Sequence, residues 1–517
     1  MTSPGDVSEA SSCGFLPSRF HHKLLLGLTL GSLFFALACG SSNSNSFPVT
    51  GGFSNASLSG QYAFRLSGTL IQLDTNNNPV VDSYTEAGVF TADGAGHILN
   101  GTEDFNDSTG FATSSFTGSY QMSKDGNGTM TLNIGGGTLN FSFTMVSSSK
   151  LYLTEADAFL NFSANAAGEA VQQNTSAFAA PPNGNFVFRV HQTFPTTVSE
   201  GTVGLLTSTN GAITGNLDVV RSNSFSSLTF TSGTLSTPDA NGRGTLTYTD
   251  SQNVITNFQY YVIDANTFWF METDPNTLGM GTAEKQAGGS LTLSGNYAFG
   301  SNGDTNANIG GVRTVGVFTA GGGTITDGAF DSVQDGTSVV NQPFNGTYTE
   351  AANGRVDVTF VPTSGSAAQI DEVFWMVNPS RAFFLANDVN KVEEGTIDLQ
   401  QINTFVTSDL SGQYALVMDG NLQGNTLLTR SGTLIPDGNG NLTLNEEANS
   451  LSSLPGNIND VVLPGTYTMS GNGRATAAVN TLSSNLVLYM VSSGQAYILQ
   501  NDSGTEVSGQ ITLQTSP

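Results

Sequence analysis

The feature that most constrains this chain is a fourfold internal repeat. The opening Leu58-Ser59-Gly60-Gln61-Tyr62-Ala63-Phe64 returns three times. It reappears as Asn183-Gly184-Asn185-Phe186-Val187-Phe188, as Leu293-Ser294-Gly295-Asn296-Tyr297-Ala298-Phe299, and as Leu410-Ser411-Gly412-Gln413-Tyr414-Ala415-Leu416. Gly60, Gly184, Gly295 and Gly412 lie 124, 111 and 117 residues apart. Solenoid repeats run to about 20–50 residues, so each copy is the size of a domain with its own core.

Inside each copy the apolar residues alternate. Tyr62, Phe64 and Leu66 interleave with Ala63, Arg65 and Ser67, the period of a strand with one buried face. A hairpin follows around Asp93-Gly94-Ala95-Gly96 and returns around Asn210-Gly211, Gly321-Gly322-Gly323 and Asp437-Gly438-Asn439-Gly440. These turn residues tolerate positive φ. A second hairpin turns at Asp125-Gly126-Asn127-Gly128, Asp239-Ala240-Asn241-Gly242, Asn353-Gly354 and Gly471-Asn472-Gly473. The third is the most apolar, as in Phe258-Gln259-Tyr260-Tyr261-Val262 with Phe268-Trp269-Phe270-Met271, and Val373-Phe374-Trp375-Met376-Val377 with Phe383-Phe384-Leu385. Consecutive apolar residues do not suit a strand with one wet face, so a second surface is expected to cover it.

An opening strand, three hairpins and a last strand at Gly168, Gly281, Gly395 or Gly509 make an eight-strand meander. The predicted fold is all-β: four tandem antiparallel meander domains of about eight strands each. An up-and-down barrel is favoured over a β-sandwich, because closure removes both sheet edges and tight hairpins dominate where sandwiches use long connections. The units are predicted at 57–176, 177–288, 289–404 and 405–517. Their short joins predict a compact string.

A net charge of −26, with only 15 Lys plus Arg, argues against a nucleic-acid partner, since phosphate binding needs clustered cations. The acidity fits a solvated, self-repelling surface.

The N-terminal region carries an address. Arg19, His21, His22 and Lys23 precede an apolar run from Leu24 to Leu37, short for a bilayer span of about 20 residues and suited to a signal-peptide core. It ends Ala36-Leu37-Ala38-Cys39-Gly40. This resembles the lipobox of bacterial lipoproteins, with Ala36 where leucine is usual. The resemblance implies a signal peptide over 1–38, lipidation of Cys39, and a tether over 39–56 that includes the polar Ser41–Ser46 tract. It also implies the outer membrane if the cell has two, because Gly40 is not an inner-membrane retention signal. Cys13 would leave with the signal, and a mature chain with one cysteine forms no internal disulfide.

Chemistry is sparse. His97 and His191 occur in different repeats, without counterparts, so a histidine-based triad or metal site lacks its parts. Both are expected in surface or turn positions. The carboxylate pairs Glu155 with Asp157, Glu272 with Asp274, and Glu446 with Glu447 have the composition of glycosidase sites, but such pairs are ordinary at strand ends. Asp157, Asp274, Asp388 and Asp502 follow the third hairpin in every copy, and a turn role is expected, the carboxylate bonding N–H groups two residues on. Asp125, Asp239 and Asp437 are the residues to test for calcium, although a hairpin turn needs none. Trp269 and Trp375 are the candidate anchors for an apolar or carbohydrate ligand, if their hairpins are open.

The whole is similar to the repetitive Gly/Ser/Thr/Asn-rich β lipoproteins of environmental bacteria, a resemblance that supplies no activity. The expectation is a lipid-anchored envelope protein, non-catalytic and without cofactor, acting in binding or adhesion. The alternatives are an envelope spacer and, last, an extracytoplasmic hydrolase.

Overall fold

The computed structural model describes residues 52–516, apart from 74–78, 136, 160–161, 194–198, 222–223, 276, 306–309, 366–367, 389–390, 423–425, 451–457 and 480–483. The expected signal peptide and Cys39 lie outside the described residues.

Each repeat closes on itself as an eight-stranded antiparallel barrel in sequential order. The first runs from β1 (Ser59–Leu73) to β8 (Phe162–Gln172). The second runs from β9 (Gly184–Thr193) to β16 (Leu278–Lys285), and the third from β17 (Gly295–Thr305) to β24 (Lys391–Leu399). The fourth runs from β25 (Tyr414–Leu422) to β32 (Thr505–Leu513). Barrel closure was the predicted outcome. The last strands begin three to six residues before the glycines that marked them in the sequence. Those glycines sit mid-strand, where the closing strands come too close for a side chain: a Cβ on Gly168 or Gly509 would lie 1.9 Å from the carbonyl oxygen of Arg65 or Val417.

Alternation fills the interiors. Tyr62, Phe64 and Leu66 point into the first core beside Phe90, Phe116 and Phe143, and equivalent residues form three further cores. One end of each barrel is stoppered by the segment that precedes its first strand. Leu58, Leu293 and Leu410 are fully buried there, and their carbonyls accept from the hydroxyls of Tyr120, Tyr348 and Tyr467, each at 2.7 Å. The recurring Leu-Ser-Gly opening and the tyrosine of the second hairpin are therefore two halves of one plug.

The barrels are not a string. The first two strands of each pack on the closing strands of the next, and the fourth barrel packs in the same way on the first, so four head-to-tail contacts close a ring. A head-to-tail interface builds either a filament or a ring, according to whether its rotation closes. One glutamine contact recurs at all four junctions. Gln173 donates to the carbonyls of Asn241 and Val262, Gln286 to Asn353 and Met376, and Gln400 to Asn472 and Met490. Gln514 donates likewise to Asp125 and Met145 of the first barrel. Each lies just past the last strand of its barrel and satisfies two carbonyls of the next barrel's second and third hairpins. The string expected from short joins fails because linker length does not report the angle between successive units.

Candidate functional site

The third hairpins are covered by these junctions. Tyr261, Trp269 and Met271 pack on Ala63, Ala87 and Val89 of the first barrel. Trp375, Phe383 and Leu385 pack on Val187, Val203 and Leu205 of the second, while Tyr489, Val491 and Leu499 pack on Ala298, Val315 and Val317 of the third. The expected covering surface is thus the neighbouring repeat. Trp269 and Trp375 are 5% and 0% exposed, which places them in seams and not in an open pocket. The doubly apolar strand required a second apolar surface, and the next barrel supplies it.

Three seams carry a polar lock. Arg243 donates through Nε and Nη2 to Asp104 of the preceding barrel at 2.5 and 2.7 Å, and the Tyr261 hydroxyl donates to the same carboxylate. Arg355 and the Trp375 indole Nε1 bind Asp218. Arg474 and Tyr489 bind Asp331. The three aspartates are buried, and their lone pairs are occupied by bidentate, charge-assisted bonds. At the fourth seam the cross-strand pair of Arg and aromatic is replaced by Asn127 and Thr144. That seam relies on smaller contacts: Thr154 with Ser431 at 2.8 Å, Tyr152 with Thr512 at 2.8 Å, and Asn165 to the Leu427 carbonyl at 3.1 Å.

The calcium candidates sit in tight turns. Asp239 Oδ1 accepts from the backbone N–H of Asn241 and Arg243 at 2.8 and 3.0 Å, and Asp437 Oδ1 from Asn439 and Asn441 at 2.7 and 3.0 Å. Asp125 Oδ1 accepts from Asn127 at 3.2 Å. Among the described residues no three His, Cys, Asp or Glu side chains converge as a metal site. Asp157, Asp274 and Asp502, expected to hold their own turns, make longer-range bonds. They reach 17 residues back to the backbone and side-chain nitrogens of Asn140, Asn257 and Asn485, fixing the strand that opens the third hairpin.

The opening and closing strands of all four barrels together line a partly open cavity of about 510 Å³. It is within the range of small-ligand sites, about 300–1,000 Å³. Five cations line it: Arg65, Lys150, Arg189, Arg313 and Arg381. In a chain with so few Lys and Arg, this is a concentration on the axis. Four are ion-paired. Arg65 and Lys150 share Glu169 at 2.6 and 2.8 Å, Arg189 pairs with Glu394 of the next barrel, and Arg381 joins Glu284 and Asp398 at 2.8 and 2.7 Å. Burial opposes ionisation of Glu169, but the charges of Lys150 and Arg65 outweigh it and hold the carboxyl far below its ordinary range.

Arg313 differs. It is 8% exposed, and its Nη1 donates to the carbonyls of Gly303 and Val312, both at 3.0 Å. It makes no ion pair among the described residues, and Nε has no partner. Asp419 lines the same cavity and makes no side-chain hydrogen bond among the described residues; burial pushes its carboxyl up, against the pull of Arg313.

His191 also lines the cavity, not an open surface. Its Nε2 lies 3.0 Å from Asp304 Oδ2, and the Ser199 hydroxyl donates to that same oxygen. Burial penalises both charges, yet the contact raises the imidazole above its ordinary value and holds Asp304 at about 2. The cluster contains serine, aspartate and histidine in the wrong order for nucleophilic catalysis. The carboxylate stands between the other two, so the imidazole is not placed to take the serine proton. His97, by contrast, is exposed in its turn and paired with Asp93 at 2.8 Å.

The axial cavity had no signature in the sequence, because its wall combines residues from four repeats that differ at equivalent positions. Arg65, Arg189, Gly300 and Val417 follow the same inward residue of the opening motif. The locks did leave a signal: Asn-Gly-Arg recurs at the second hairpin of the last three repeats.

No family model and no curated protein matches this chain. Among solved structures it is similar to transferrin binding protein B of Haemophilus parasuis Hp5, at 8% identity, covering 66% of this chain and 76% of that one, with a TM-score of 0.19. The isotype 1 transferrin binding protein B of serogroup B Neisseria meningitidis matches at 10% identity, 65% and 75% coverage, and a TM-score of 0.20. Intact Ap-TbpB, with N and C lobes, matches at 10%, 72% and 85%, and 0.17. At such scores nothing is carried over from these proteins to this chain.

Proposed function

We propose that the protein is a lipid-anchored, non-catalytic binding protein of the bacterial envelope, with the axial cavity as its binding element. The observation that carries this reading is a cavity of ligand size whose wall takes charged and polar side chains from all four barrels, the buried Arg313 among them. Four of its five lining Arg and Lys side chains are ion-paired, within one barrel as for Arg65 and Lys150 with Glu169 or across a seam as for Arg189 with Glu394, and the imidazole of His191 is not placed to take the Ser199 proton.

The tether gives the ring an orientation. Gly52 and Ser516 meet at 3.3 Å, and Phe53 is bonded to the Lys124 turn at the plugged end. A lipidated Cys39 would hold that end toward the membrane, outside the cytoplasm and on the outer membrane of a two-membrane cell. The opposite end, with the exposed Val80, Val81, Val339 and Val340 near its hairpin tips, would face outward.

Two measurements test the reading. Labelled fatty acid should enter the protein and be lost in Cys39→Ala. A thermal-shift screen of the mature chain against sugars, sugar acids and amino acids should give a stabilising compound whose effect disappears in Asn302→Trp, which fills the cavity. A spacer role is the second reading. It is favoured by the seams, which bury the aromatic hairpins otherwise free to bind, and a screen without a single stabilising compound would select it.

A further inference from the structure

Resting on the reading of the axial cavity as a binding site, we infer that its ligand is a small uncharged polyol, of the monosaccharide class, recognised by amide and hydroxyl side chains where the third and fourth barrels meet. The charged groups of the wall already answer one another. Arg65 and Lys150 share Glu169, Arg189 pairs with Glu394, Arg381 joins Glu284 and Asp398, and His191 meets Asp304. Arg313 acts as an opposite charge on both Asp304 and Asp419. A charged ligand would have to displace one of these partners or stay without one of its own, and an unpaired charge out of water is costly. An uncharged ligand meets neither obstacle.

What the wall leaves open is neutral and polar. Asn302, Gln495, Ser508 and Gln510 line the cavity, and none makes a hydrogen bond through its side chain within the described structure. Their side-chain oxygens and nitrogens reach open space and are not sealed in the wall. Register gathers three of them. Ser508 stands opposite Asp419 of β25, and Gln510 stands between Val417 of β25 and Tyr497 of β31 (Gln495–Gln500). Residues two apart on a strand share a face, so Ser508 and Gln510 meet the cavity together. From the third barrel, Gly300 lies so close to the Tyr497 ring that a Cβ there would collide with it, and Asn302 follows on the same face of β17. Each amide sets a donor beside an acceptor, and each hydroxyl of a polyol both donates and accepts, so one amide can answer two neighbouring hydroxyls. A volume of about 510 Å³ admits a monosaccharide with ordered water.

The test is calorimetric titration of the mature chain with one ring in its neutral, acid and amine forms: galactose, galacturonate and galactosamine, and likewise glucose, glucuronate and glucosamine. At least one neutral sugar should bind, with its acid and amine at least about tenfold weaker. Gln510→Met, which keeps the volume and removes the amide, should weaken that sugar at least about fivefold, and Ser508→Ala should weaken it in the same direction. If either variant does not fold, the comparison of neutral with charged forms on the unaltered protein decides. An acid or amine binding as tightly as its neutral sugar would overturn the uncharged ligand while leaving the cavity as a binding site. A neutral sugar binding equally well to both variants would overturn the recognition by Ser508 and Gln510. No binding by any of the six up to about 10 mM would overturn the polyol; joined to a wider screen without a stabilising compound, it would overturn the cavity as a binding site as well.

Discussion

The side chain of Gln514 donates to the carbonyl oxygen of Asp125 at 3.0 Å, although the two residues are 389 positions apart. This contact repeats, at the ring's closing junction, what Gln173, Gln286 and Gln400 do at the internal ones. Removing it takes the side-chain donor from the Met145 carbonyl and leaves the Asp125 carbonyl with Gln413, at 2.9 Å, alone. Gln514→Ala should cost about 1–2 kcal/mol, read as a lower urea midpoint. Gln286→Ala should cost a similar amount, because its geometry is equivalent; a silent Gln514→Ala would mean that the ring is open in solution.

The seams should differ in strength. Arg474→Gln leaves the buried Asp331 with Tyr489 and a longer bond from Asn501, at 3.4 Å, as its remaining seam donors. A loss of about 2–3 kcal/mol is expected, since breaking a buried pair strands the other charge. The fourth seam, built with Asn127 and Thr144 where the others have an arginine and an aromatic, should open first. Hydrogen exchange should be faster on the strands that face it, β25 and β26 (Thr426–Pro436), than on β9 and β17 at the locked seams.

Trp269 and Trp375 are the chain's two tryptophans, and both are buried between barrels. Intrinsic fluorescence should therefore be blue-shifted and weakly quenched by acrylamide. Trp375→Phe removes the bond from Nε1 to Asp218, 2.8 Å long, and should cost about 1–2 kcal/mol. Strong quenching in the folded protein would show that the seams are not closed.

Stability should fall with rising pH through one identifiable group. Glu272 is 2% exposed, and burial pushes its carboxyl well above the ordinary value of 4.5, with Gln192 opposing. The folded state therefore holds a proton that the unfolded state releases. This contribution is fully present below about pH 4.5 and is lost as the pH rises toward the raised folded value. Glu272→Gln should flatten that decline, and the variant should be at least as stable as the parent near neutrality. Urea midpoints measured from pH 4.5 upward check the sign.

Local pattern carried much of the fold. The alternation of Tyr62, Phe64 and Leu66 with Ala63, Arg65 and Ser67 is a property of neighbours in the chain, and so are the hairpin turns. From these the strands, their order, the fourfold repetition and the barrel itself could be read. The apolar outer face of the Trp375 hairpin even required a cover. What no run of residues contains is the angle between one barrel and the next. That angle comes from the shape of packed side chains in the seams, such as Trp375 against Val187 and Val203. Only tertiary structure therefore decided that four barrels turn far enough to meet. The same closure brought Arg313 to a shared axis with Asp419, more than one hundred residues away in sequence, and so made a cavity that belongs to no single repeat.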